Sequence, residues 1–452
     1  MVVLPSDRLR TRLLRLGFAA LLVVGAAACA GGSAAVSPAE IPDLEARLSQ
    51  NPSNADVLLR YGAALYAAGQ CDSARVVAAA GGRRRPESAL APLVIGQCFE
   101  QDGDYDAAIT TYDTFLASRP EGRGSASVSA RRLGAVRTRA TARAQEAMGR
   151  EADLQPGDPQ TLAVLPLEIV GEEQYQPLSR GLAELLTADL ALLQRFRMVE
   201  RLQVQALFDE MALSQSDRVD AGTAVRMGRM LQAGRLVQGV AAIPPDADVQ
   251  LSAAVVQADG QVVSAGAQQG RLNDLMRLEK AVALDLATRL GYQLSEAERQ
   301  LILENGTQNL TAFLAYSQGL AAEDAGDFVG AAALYQQAVQ ADPQFQQARS
   351  QYQAAAATPA VQQASAGDVT TVSDATVDEP AAGSEEAVSD AVSSSLADVA
   401  ATASEQTAAA TAGDATSTEA SNTVASQAPP TVTSQAPPPT VTGTIRIVFR
   451  LP

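Results

Sequence analysis

Between residues 158 and 295 the apolar positions change period several times. Residues 161–167 form a short apolar run closing on Pro166-Leu167, which predicts a buried strand. Leu178, Leu182, Leu185, Leu186, Leu190 and Leu193 then fall on one face of a helix. Residues 195–200 alternate, with Phe196 and Met198 on one side, and a helix over about 202–213 follows. Another helix near 223–232 leads into a strand at 235–240. Two alternating runs, 249–257 and 261–267, flank Asp259-Gly260, a two-residue hairpin signal. An amphipathic helix over 272–290 closes the unit. The order β-α-β-α-α-β-β-β-α predicts an α/β domain, helices packed on a mixed sheet.

On either side of this unit the rhythm is longer. Gly62, Leu65, Gly69, Ala74 and Pro86 recur as Gly96, Phe99, Gly103, Ala108 and Pro120 at a constant offset. That offset, about 34 residues, resembles the tetratricopeptide repeat, a pair of antiparallel helices. Small residues at Gly96 and Ala108 let the two helices approach, Tyr105 and Tyr112 fill the groove between them, and Pro120 ends the second. Residues 44–49 read as the trailing helix of a partial repeat, and an arginine-rich helix over 125–149 as its cap. The signature returns as Gly319, Gly326-Asp327-Phe328, Ala331, Tyr335, Ala338 and Pro343. A lone helical hairpin cannot bury its own apolar face, so this one must dock on the middle domain or on another subunit.

The residues Ala163-Val164-Leu165-Pro166-Leu167, Arg197-Met198-Val199-Glu200-Arg201, Glu210 on the next helix, and Leu236-Val237-Gln238-Gly239 resemble CsgG-like and TolB-amino-terminal-like envelope domains. The resemblance implies a non-catalytic assembly, secretion or activator component of the cell envelope, often carried on a lipoprotein. Glu200 and Arg201 are expected to form a capping and surface pair at a strand-to-helix junction. The curli secretion member of that family adds long hairpins that build an oligomeric membrane barrel. This chain has one compact hairpin at about 249–267, which suits a half-buried strand of a soluble sheet.

The ends of the chain differ from both. Arg8, Arg10, Arg12 and Arg15 precede an apolar run, residues 16–28, and then Cys29, the pattern of an export signal. Gly25-Ala26-Ala27-Ala28-Cys29 resembles a lipoprotein box with Ala26 where leucine is usual. Cys29 is therefore the expected lipidation site, and Ala30 after it points to the outer membrane. Ordinary cleavage to a soluble periplasmic protein is the alternative. From residue 353 to 443 the composition narrows to small, polar and acidic residues, which predicts a disordered linker. Thr444–Leu451 then alternates like a strand, either an edge-completing tag or an inert terminus. The expected organisation is a signal peptide (1–28), a tether (29–41), repeats with their capping helix (42–150), the α/β domain (158–295), a single repeat (308–352), the linker (353–443) and the terminal strand (444–452).

Composition narrows the chemistry. The 452 residues contain no histidine or tryptophan, and Lys280 is the one lysine. Histidine bases, histidine-held metals, Ser-His-Asp triads and lysine-based phosphate loops are thereby excluded. Gly228–Gly234 is spaced like a phosphate loop, but Arg235 stands where lysine would be required. No catalytic residue, cofactor or metal is expected. The net charge of −17 disfavours nucleic acid. Eight arginines against two glutamates over 119–150 either meet an anionic partner or form the exposed face of a surface helix. Cys71 and Cys98 either pair in an oxidising compartment or serve as small core residues. The expected function is a scaffold lipoprotein that binds envelope proteins through its repeats and the membrane through its lipid. A homo-oligomeric secretion channel is the alternative.

Overall fold

The computed structural model describes residues 34–211, 221–245, 248–264 and 266–378. The signal segment, Cys29, residues 379–443 of the linker and the terminal strand lie outside the described residues. The described part is mostly helical, with one mixed sheet.

A helix α1 (Ile41–Gln50) precedes two helical hairpins, α2 (Ala55–Ala67) with α3 (Cys71–Gly82) and α4 (Leu90–Gln101) with α5 (Tyr105–Ser118). The long helix α6 (Ser125–Gly149) closes the stack. Asn54 and Asp104 cap α2 and α5 by accepting hydrogen bonds from Val57 N and Ala107 N. Gly96 packs face-on against the Tyr112 ring, so a Cβ there would collide with it. Leu44, Leu65, Leu93, Val94, Tyr112 and Val136 belong to the resulting core.

The middle domain runs β1 (Asp158–Val164), β2 (Glu168–Gly171), α7 (Leu178–Leu192), β3 (Arg197–Met198), α8 (Arg201–Met211), α9 (Ala221–Met230), β4 (Ala233–Ile243), β5 (Val249–Gln257), β6 (Val262–Ser264), β7 (Gln268–Gly270), α10 (Leu275–Arg289) and α11 (Glu296–Glu304). The sheet order is β3-β1-β4-β5-β6, with β2 also beside β4 and β7 beside β5. β1 is parallel to β3 and β4, whereas β5 is antiparallel to β4, β6 and β7. Alternation sends Leu162 and Val164 to one face, with Leu182, Leu186, Leu278 and Leu286 of α7 and α10. It sends Ala163 and Leu165 to the other, against Leu207, Phe208 and Met227 of α8 and α9.

The strands of the sheet and the point where order ends differ from the sequence reading. The second strand of the hairpin breaks into β6 and β7, and β2 and α11 are additional. The downstream hairpin, α12 (Leu310–Asp324) with α13 (Phe328–Ala341), docks on α7 of the middle domain, the first of its two expected seats. Order does not end at 353: α14 (Gln346–Gln363) continues past Pro359, and α15 (Val369–Ser373) follows. Ala357 and Val361 of α14 pack against Ala126 and Ala130 of α6, a small-residue contact that close helix approach requires.

Candidate functional site

A buried polar site lies where repeats, sheet domain and downstream hairpin meet. Arg201 begins α8 directly after β3, which points its side chain between α7 and α12. Its side chain is 9% exposed, and the guanidinium pairs with Glu323 at 2.8 Å and Asp324 at 2.5 Å, whose side chains are 0% and 5% exposed. Glu184 of α7 stands 3.6 Å away. Asp324 also accepts from Arg180 at 2.7 Å, and Tyr335 donates to Glu323 at 3.2 Å. Arg137 of α6 donates to the Glu323 and Asp324 carbonyls. Burial pushes the Glu184 and Glu323 carboxyls up, and Arg201 pulls both back toward the charged form. Arg201 itself is raised because the attraction of Asp324, Glu323 and Glu184 outweighs its burial. Beside this cluster is a cavity of about 560 Å³ lined by Arg132, Thr187, Glu200, Tyr316, Gln347 and Gln351, among others.

Arg201 is therefore no surface residue, contrary to the expectation for the Glu200–Arg201 pair. Glu200 is half of that pair only in sequence: it turns to α6 and accepts from Arg139 at 2.9 Å, with Arg132 at 3.5 Å. The arginine-rich helix is likewise neither a bare exposed face nor a free anion site. Arg131 pairs with Glu100, Arg132 with Asp113, and Arg139 and Arg143 with Asp106. These arginines join α6 to the repeats before it and the sheet domain after it.

A second buried cluster lies between α7 and α10. Lys280 Nζ is 2.9 and 2.7 Å from the two Asp189 oxygens and 3.3 Å from Glu279, all three residues being essentially buried. Asn305 donates to Asp189 at 2.7 Å. Burial first, and then repulsion from Asp189, push the Glu279 carboxyl well above its usual range. Sequence reasoning missed both clusters. The signal for the second was visible, because Lys280 and Asp189 interrupt otherwise apolar helix faces.

Cys71 and Cys98, on α3 and α4, form a disulfide with a Cα separation of 5.4 Å. Gly228 packs under Leu236 and the Ala233 carbonyl, and Arg235 extends along β4 over the Phe196 ring at 5.3 Å. That segment joins a helix to a strand and forms no phosphate cradle. Among the described residues, no cluster of His, Cys, Asp and Glu has a metal-binding arrangement, and no helix is long and apolar enough to cross a membrane.

A third feature is a groove. The first helices of the two hairpins, α2 and α4, lie beside the closing helix α6, and α15 rests across all three. Val369 is buried in the repeat core there, with Val372 partly buried beside it.

The model of the family described as the curli production assembly/transport component CsgG matches residues 166–242, from the end of β1 through most of β4. No curated protein matches the chain. Among solved structures, a tetratricopeptide repeat protein from Parabacteroides merdae ATCC 43184 is similar at 12% identity, covering 70% of this chain and 91% of that one, with a TM-score of 0.20.

Proposed function

We propose that the protein is a non-catalytic scaffold of the bacterial envelope, lipid-anchored through Cys29 at the periplasmic face of the outer membrane. The observation that carries this reading is the shared helix α6. It caps the repeat stack, packs on α8 of the CsgG-like domain and seats α14, the helix that follows the downstream hairpin. A repeat groove and a CsgG-like domain are thus held by one element, the arrangement expected of an adaptor that presents two binding surfaces together. The buried charges support the same reading, because Arg201 and Lys280 are saturated by carboxylates that a reaction would need free.

The test is palmitate labelling and crosslinking in intact cells, comparing the wild type with Cys29→Ala. Label on the wild type, loss of label and of membrane association in the variant, and recovery of defined envelope proteins are expected. Unlabelled protein, or turnover of a small molecule by the purified chain, overturns the reading.

The family match at 166–242 favours one alternative, a secretion-channel subunit. Against it, Val249, Leu251, Ala253 and Val255 of β5 are all buried in the core under α7 and α10, and β6 spans three residues. A membrane strand needs about 9–11 residues facing lipid on alternate positions. Conductance in planar bilayers would establish the channel instead.

A further inference from the structure

The segment after α14 lies in the repeat groove as a bound peptide would. Ser365 and Asp368 cap each other's backbone in a tight turn, Ser365 N lying 2.9 Å from an Asp368 carboxylate oxygen. One short helix follows, pressing Val369 and Val372 onto α2, α4 and α6. Of the remaining residues most are small or hydroxylated, and Asp374, Val377 and Asp378 follow the helix. Backbone groups do much of the recognition: Val36 N donates to Gly367 O and Gly124 N to Ala375 O, both at 2.9 Å. Thr370 Oγ1 donates to Ala34 O at 2.9 Å. Gly124 is shaped for this visitor. Its φ is +78°, and a Cβ there would strike the Ser373 carbonyl and Ala89.

The segment does not fill its seat. A cavity of about 630 Å³ remains beside it, lined by Leu59, Leu90 and Phe115 and rimmed by Arg60, Arg85, Arg119 and Arg123 together with Asp56, Glu87 and Glu121, with Asp374 at its edge. Arg60 pairs with Glu40, and Arg85 with Asp56 and Glu87, which leaves Arg119 and Arg123 as the arginines facing an incoming acid. The seat therefore favours two β-branched side chains one turn apart, followed by an acidic group, and has room for a longer ligand than the one it holds.

We propose that residues 365–378 are a displaceable internal ligand, which occupies the groove until a partner peptide of the same chemistry (paired valines or isoleucines followed by acids) expels it. This rests on the scaffold reading and adds how its groove is gated. The covalent connection gives the internal copy an effective concentration on the order of millimolar. An incoming peptide thus binds with an apparent affinity scaled by the small fraction of open groove. Displacement also breaks the Thr370–Ala34 and Val36–Gly367 hydrogen bonds, which leaves Ala34 and Ala35 held by Arg60 alone.

The experiment uses the full chain and a fluorescein-labelled peptide of residues 363–378, read by anisotropy. Val369→Asp/Val372→Asp should bind the peptide at least about ten-fold more tightly than the wild type, because its own copy is expelled. Gly367→Val, whose side chain would meet the Val36 carbonyl, should act the same way while keeping both valines. Adding Arg119→Glu/Arg123→Glu to either variant should weaken the peptide several-fold. Equal binding to wild type and folded variants, or none to either, overturns the proposal. So does unfolding of both variants, which would make the segment a structural part of the repeat stack. A wild-type dimer that the double variant converts to monomer would assign the groove to a second copy and overturn it too. None of these results touches palmitate labelling or the crosslinked partners, so the scaffold reading stands or falls separately.

Discussion

At Lys280 the chain puts its one lysine between α10 and α7, with Asp189 and Glu279 beside it and almost no solvent. Breaking such a pair by removing one partner leaves a buried charge unmatched, which costs about 3–5 kcal/mol. Lys280→Met should show that loss in denaturant unfolding. Glu279 behaves oppositely. Its carboxyl holds a proton in the native state that the unfolded chain releases near the ordinary value of 4.5. Stability must then fall as pH rises from there through the native-state pKa. Glu279→Gln, which imitates the protonated acid, should raise the melting temperature at neutral pH and flatten its dependence on pH above 4.5. The lysine could be read in the sequence, since Met276 and Ala283 flank it at helical spacing. The partners of Arg201 could not, because Glu323 and Asp324 lie more than a hundred residues away and look like any helix-end acids.

Among the elements, the helical hairpins were the most legible, for a steric reason. Gly96 under Tyr112 and Gly319 under Tyr335 leave no room for a Cβ, so the glycines and tyrosines must recur at fixed slots. Gly319→Val should cost about 1–3 kcal/mol or more by overpacking. Gly134 lies on the exposed side of α6, where an added Cβ would meet nothing within 4 Å, and should gain about 0.5–1 kcal/mol as alanine. Thermal melts of the two variants would separate those effects. The disulfide between α3 and α4 closes a sequence separation of 27, and its reduction should cost about 3–4 kcal/mol, read as a shifted denaturant midpoint. Less was legible where side chains are small. The alanines of α14 and the serines and threonines of 365–378 read as linker composition, because their partners on α6 and in the groove are remote in sequence. β2 and α11 were too short or too polar to stand out from the loops around them.

Across the molecule, the order of modules followed from the change of period along the chain, whereas their mutual attachment did not. It depends on α6 and on Arg201, one contacting three neighbours and the other neutralising acids from two. Calorimetry should therefore show a single cooperative transition for the wild type. Arg201→Met should split it, because buried Glu323 and Asp324 lose their main counter-charge and the downstream hairpin loosens from the sheet domain. A variant that unfolds in one step at an unchanged temperature would mean that apolar packing alone joins them. The meeting of Ala34 with Thr370, and of Val36 with Gly367, has a mechanical corollary. Tension applied at residue 34 loads these few bonds, together with the Arg60 grip on Ala34 and Ala35, before it reaches the body of α2. A pull at residue 34 is thus transmitted directly to the strap lying across the repeats, a second way to lift it.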